Sequence, residues 1–62
     1  MQDRIWRTKA GQLIVVAAMT TSHISNCIRL IQRSIAAGRP WRVEYLDRLI
    51  LEIEIRNMRD RS

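Results

Sequence analysis

Residues 20–40, Thr-Thr-Ser-His-Ile-Ser-Asn-Cys-Ile-Arg-Leu-Ile-Gln-Arg-Ser-Ile-Ala-Ala-Gly-Arg-Pro, decide the fold. Hydroxyl side chains at Thr20, Thr21 and Ser22 stand just before an apolar pattern of helical period, which marks a helix N-terminus. At about 100° per residue, Ile24, Cys27, Ile28, Ile31 and Ile35 fall in one stripe with Leu30 near its margin, whereas Ser22, Asn26, Arg29 and Arg33 lie opposite. This predicts a one-sided amphipathic helix over residues 21–37. Gly38 suits the left-handed position that closes a helix, and Pro40 is tolerated in the first turn of the next one. With so short a connection, the second helix folds back antiparallel.

That second helix is expected over residues 41–59. Val43, Tyr45, Leu46, Leu49, Ile50 and Ile53 make one broad apolar stripe, and Leu51, Ile55 and Met58 make another on a different side. A single helical neighbour cannot cover both. The second stripe therefore predicts a homodimer with Leu51, Ile55 and Met58 at its interface; the competing arrangement folds the N-terminal hairpin over them. Glu44 with Arg48, and Glu52 with Arg56, have the favourable i,i+4 order expected of a solvated face. Asp60-Arg61-Ser62 is expected to fray.

Upstream, Arg4–Thr8 and Gln12–Val16 are short segments rich in Ile, Trp, Thr and Val, separated by Lys9-Ala10-Gly11. They predict a β-hairpin over residues 4–16, with Gly11 at the positive-φ position of a three-residue loop. Ile5 and Arg7 then face one way and Trp6 and Thr8 the other. A lone two-stranded hairpin is barely stable, so it must lie against the helices, with Trp6, Leu13 and the Val15/Val16 pair supplying the apolar surface. The expected fold class is α+β and mostly helical: one domain, ββαα.

Composition narrows the function. The 62 residues carry eleven basic and six acidic side chains, for a net charge of +5. Residues 1–42 hold seven Arg or Lys against Asp3 alone, giving +6; residues 43–62 hold four against five, giving −1. A positive field over the front of the chain favours an acidic protein surface, nucleic acid or anionic membrane. The longest apolar run, Leu13–Met19, has seven residues, far short of the roughly 20 that span a bilayer. It is also at the short limit of a signal-peptide core, with no suitable cleavage site after it. Cys27 is the only cysteine, which excludes an internal disulfide and fits a small buried side chain in a reducing, cytoplasmic setting.

Catalytic machinery is missing from the pattern. His23 is the only histidine, and no acid occurs between Ala18 and Cys27 to pair with it, so neither general acid–base chemistry nor a metal site can be assembled around it. Two glycines cannot build a phosphate-cradling loop. The chain is thus expected to be no enzyme and to need no metal or cofactor. His23 and Thr21 are expected to serve in a local polar network at the start of the first helix. Ser22, Asn26, Arg29 and Arg33 are the candidate partner-binding residues, of side-chain types that also reach phosphates and base edges.

The order Trp6-x-Thr8-x-x-Gly11-x-x-Ile14, then Met19-x-x-Ser22-His23-Ile24-x-Asn26-x-Ile28-Arg29-x-Ile31-x-Arg33, then Tyr45-Leu46-x-x-Leu49-x-x-Glu52-x-x-x-Arg56, spans nearly the whole chain. It resembles a group of small accessory proteins encoded by phages and prophages. The resemblance implies a phage accessory protein acting on host physiology or defence in the host cytoplasm, and it implies no reaction. The leading expectation is a module whose basic front two-thirds docks an acidic surface on a host protein and modulates it, with no membrane partner. A dimeric nucleic-acid-binding regulator using the basic face of the first helix, and a minor component of virion assembly, are the alternatives.

Overall fold

The structure, a computed structural model, describes residues 3–61. The element order is β1 (Ile5–Arg7), β2 (Leu13–Val15), α1 (Thr21–Ala36) and α2 (Leu46–Arg61), with single 3-10 turns at Val16–Ala18 and Val43–Tyr45. This is the ββαα arrangement, a two-stranded antiparallel hairpin followed by two helices. Ile5 pairs with Val15, Trp6 with Ile14 and Arg7 with Leu13. Gly11 takes φ 86° in the connecting loop, a conformation without penalty for glycine.

Alternation along the strands sends Trp6 and Ile14 toward the helices and Ile5, Arg7, Leu13 and Val15 away from them. Trp6, 3% exposed, is the wedge of the core. It gathers Val16, Met19, Ile24, Cys27, Ile31 and Leu49, with Ile14, Ile28, Tyr45, Leu46 and Ile53 packed around them. Trp41 and Tyr45 meet its ring edge-on, with centroids 5.9 and 5.1 Å away, the geometry that aromatic quadrupoles favour. Thr20 caps α1, its Oγ1 accepting from the His23 amide at 3.1 Å.

Several sequence expectations need correction. Leu13 and Val15 do not supply the buried face of the hairpin, because the register turns them outward and Ile14 inward. Leu30 and Ile35 are exposed, since α2 covers only the Ile24, Cys27 and Ile31 side of α1. The second helix does not begin at Pro40 or Trp41. Gly38 ends α1 with φ 76°, but Arg42 is then left-handed at φ 51° and one 3-10 turn intervenes before Leu46. At its far end α2 continues to Arg61 instead of fraying at Asp60; Ser62 lies outside the described residues.

The ion pairs also differ from expectation. Glu52 is buried, not solvated. Arg48 does not pair with Glu44; its Nε donates to Asp3 at 2.7 Å and its Nη2 reaches Glu52 at 2.9 Å. Arg56 donates from Nε to Glu52 at 2.9 Å, from Nη1 to Thr21 Oγ1 at 2.9 Å and from Nη2 to the Met19 carbonyl at 2.7 Å. Asp3 accepts from the amides of Arg4 and Ala17 at 2.7 and 2.8 Å. A chain of charge, Asp3–Arg48–Glu52–Arg56, thereby runs along α2 and stitches it to the hairpin and to the start of α1.

Burial alone would raise the carboxyls of Glu52 and Asp3. Hydrogen bonds from Arg56 and Arg48 to Glu52, and from Arg48, Ala17 and Arg4 to Asp3, outweigh it and hold both below the usual carboxylate range. Their contribution to stability is therefore complete above the unfolded-state values near 4 and is lost as pH falls through the lowered native ones. Urea unfolding should show stability flat from pH 7 to about pH 5 and declining below it, with a shallower decline in Glu52→Gln. Removing the wedge has a larger effect: Trp6→Ala should cost about 3–5 kcal/mol, enough that circular dichroism at 25 °C finds the chain largely unfolded.

Candidate partner-binding groove

A groove of about 340 Å3 opens between the hairpin loop, the outer side of α1 and the segment before α2. Trp6 and Cys27 form its floor; His23, Asn26 and Leu30 come from successive turns of α1; Trp41 and Arg42 close one end, and Arg7, Thr8 and Lys9 border the hairpin side. A shallower depression continues from Asn26 and Leu30 to Arg29 and Arg33. Asn26 and Leu30 belong to both, so the two depressions share a wall.

Arg42 is the most constrained side chain here. Its guanidinium carbon lies 4.6 Å from the Trp6 ring centroid and 4.7 Å from that of Trp41, while Nη1 donates to the Arg7 carbonyl at 3.0 Å. Each ring contributes about 0.5–1 kcal/mol to holding the cation, comparable to the about 1–2 kcal/mol that a left-handed backbone costs a side chain with a Cβ. The aromatic sandwich thus offsets the strain at Arg42. Ser34 secures the same corner, its Oγ accepting from the Trp41 amide at 3.0 Å and donating to the Ile31 carbonyl at 2.6 Å.

The predicted site residues separate on this map. Asn26, Arg29 and Arg33 are exposed and line the joined depressions. Ser22 is exposed one turn earlier on the same face of α1 and lines neither depression. His23 is half-buried in the groove wall, and Thr21 accepts from Arg56 on the other side of the helix. Leu51 and Met58 are 48% and 70% exposed, and Ile55 is half-buried, so the hairpin does not cover the second stripe of α2.

Sequence reasoning missed Arg7, Lys9, Leu30, Trp41 and Arg42 as members of one surface. They come from three elements, and only the tertiary arrangement brings them together. Two tryptophans flanking an arginine at residues 6, 41 and 42 were the available signal, legible only with the hairpin placed against the interhelical turn.

Compared with known proteins, the chain matches no family model, no curated protein and no solved structure. No helix among the described residues is long and apolar enough to cross a membrane, and no described cluster of His, Cys, Asp or Glu could hold a metal ion.

Burial pushes the Cys27 thiol up, and the nearby charge of Arg42 offsets only part of that, leaving little of the reactive thiolate at neutral pH. Ellman's reagent should therefore label native protein far more slowly than protein in concentrated urea.

Proposed function

We propose that the chain is a non-enzymatic binding module of phage accessory type, working as a homodimer, that receives an acidic segment of a host protein in this groove. One observation carries the proposal. The joined depressions are bordered by Arg7, Lys9, Arg29, Arg33 and Arg42, offer Leu30 and Trp41 as apolar contacts, and include no Asp or Glu. A surface that is cationic at its rim and apolar within suits a peptide alternating acidic with aliphatic side chains.

Nucleic acid fits this geometry less well. Single strands bind by stacking bases on open aromatic faces, but Trp6 is buried and Arg42 already lies over both tryptophan rings. Duplex recognition uses a projecting helix or ribbon, whereas Asn26 and Leu30 sit in the wall of a concavity. The α2 stripe of exposed Leu51 and Met58 with half-buried Ile55, and the outward face of the hairpin, are among the apolar surfaces open to a second copy.

Nuclear magnetic resonance titration of labelled protein tests the partner class. A synthetic peptide alternating Glu with Leu should shift the amide signals of residues 23–30, Trp41 and Arg42, less so as salt rises. Replacing Arg29 and Arg33 together by Ala should weaken that binding about tenfold and leave the melting temperature nearly unchanged. A spectrum indifferent to the peptide, or a random DNA duplex bound at about 50 mM salt, would count against the proposal.

A further inference from the structure

We infer that β2 is the seam of the homodimer, pairing antiparallel with β2 of a second copy across a two-fold axis at Ile14. This rests on the homodimer part of the proposed function and is independent of what the groove binds.

The ladder fixes which backbone groups point where. Val16 donates to the Arg4 carbonyl at 3.0 Å and Thr8 to the Gln12 carbonyl at 2.8 Å. In an antiparallel pair the bonded positions alternate, so Trp6 with Ile14 is the bonded pair between them. Ile5, Arg7, Leu13 and Val15 then direct their amides and carbonyls to the two outer edges. On β1 the outer edge is sealed: Tyr45 Oη donates to the Ile5 carbonyl at 2.9 Å and Arg42 to the Arg7 carbonyl at 3.0 Å. On β2 the outward amides of Leu13 and Val15 and the Leu13 carbonyl meet no hydrogen-bond partner among the described residues, and the Val15 carbonyl, which opens the 3-10 turn at Val16–Ala18, has a second lone pair to offer. An open edge of this kind is a template for another strand.

Charge decides the occupant. From Ala10 to Ile28 the chain carries no Asp, Glu, Lys or Arg, so β2 itself carries no charge, its nearest cation on that face being Arg7 one strand back, and an acidic segment is drawn instead to the cationic groove. Two copies of net charge +5 meet at least electrostatic cost where neither presents charge. The α2 stripe lacks that property, since Asp47 and Glu54 are neighbours of Leu51 and Met58 on its exposed face.

The strand is also self-complementary. A two-fold axis at Ile14 sets Leu13 opposite Val15 of the second copy, and each pair exchanges two backbone hydrogen bonds. The outward face becomes continuous rows of Ile5, Val15, then Leu13 and Arg7 of the second copy, joining side chains that are 51%, 40% and, for Leu13, 67% exposed in the single chain. A marginal two-stranded hairpin becomes a four-stranded sheet. Because β1 is sealed, the sheet closes at two copies and does not grow into a fibre.

Val15 has φ −74°, close to the value proline imposes, and its amide makes no bond within the hairpin. Val15→Pro therefore deletes the pairing donor and spares the single-chain fold. Sedimentation at about 100 µM should give a dimer for the wild type and a monomer of unchanged helical circular dichroism for Val15→Pro. If that variant fails to fold, Leu13→Lys, an exposed change that charges the edge, should weaken the dimer at least about tenfold. A monomeric wild type overturns the homodimer as a whole. A wild-type dimer that survives both changes, or that is dissolved only by Leu51→Lys, overturns the β2 seam and leaves the groove proposal standing.

Discussion

Glu52 is the constraint on which the rest of the structure depends. A carboxylate 4% exposed is tolerated in so small a core only because Arg48 and Arg56 reach it from one turn before and one turn after. Those arginines direct further donors to Asp3, to the carbonyls of Ala17 and Met19 and to Thr21, while Arg48 Nη1 stays buried without a partner among the described residues. Such a cluster adds little net stability over an apolar replacement, because desolvation offsets most of the attraction. Its effect is on geometry. It fixes the rotation of α2 about its own axis, and that rotation determines that Leu49 enters the core while Leu51 and Met58 face away.

With α2 so oriented, the surface divides by charge. The hairpin loop, α1 and the interhelical turn contribute the cations around the groove, the outer side of α2 contributes Asp47 and Glu54, and β2 with the segment after it is neutral. The asymmetry visible along the chain, +6 before residue 43 and −1 after it, thus becomes an asymmetry in space. Arg42 lies at the boundary. Its side chain is spent on Trp6, Trp41 and the edge of β1, so it shapes the groove and seals a strand together.

Element type and order were legible in the sequence because they rest on local signals: the Thr20 cap, the period of Ile24, Cys27, Ile28 and Ile31, Gly38 after the helix, and Gly11 in the hairpin loop. Side-chain placement was less legible. Leu13 and Val15 are as apolar as Ile14, and only the pairing register with β1 decides which of them points inward. Glu52 read as surface because its i,i+4 partner looks the same on a solvated face as in a buried network, and its link through Arg48 to Asp3 spans 45 positions. Pro40 suggested a helix start that the Trp6–Arg42–Trp41 sandwich overrides. Of the candidate site, the α1 residues were readable from periodicity; the contributions from the hairpin and the turn were not.

The separation in sequence of those ionic contacts sets an order of assembly. The two helices are joined by residues 37–45 alone, so their hairpin closes at modest entropic expense, whereas joining Asp3 to Arg48, or Ala17 to Arg56 some 39 positions away, requires a much longer loop to be gathered first. The helical pair is then the early nucleus, and the strands are docked last by the arginines. Loss of the long-range links alone, Asp3 to Arg48 and Arg56 to Ala17, is then expected to accelerate unfolding while leaving the speed of folding almost untouched.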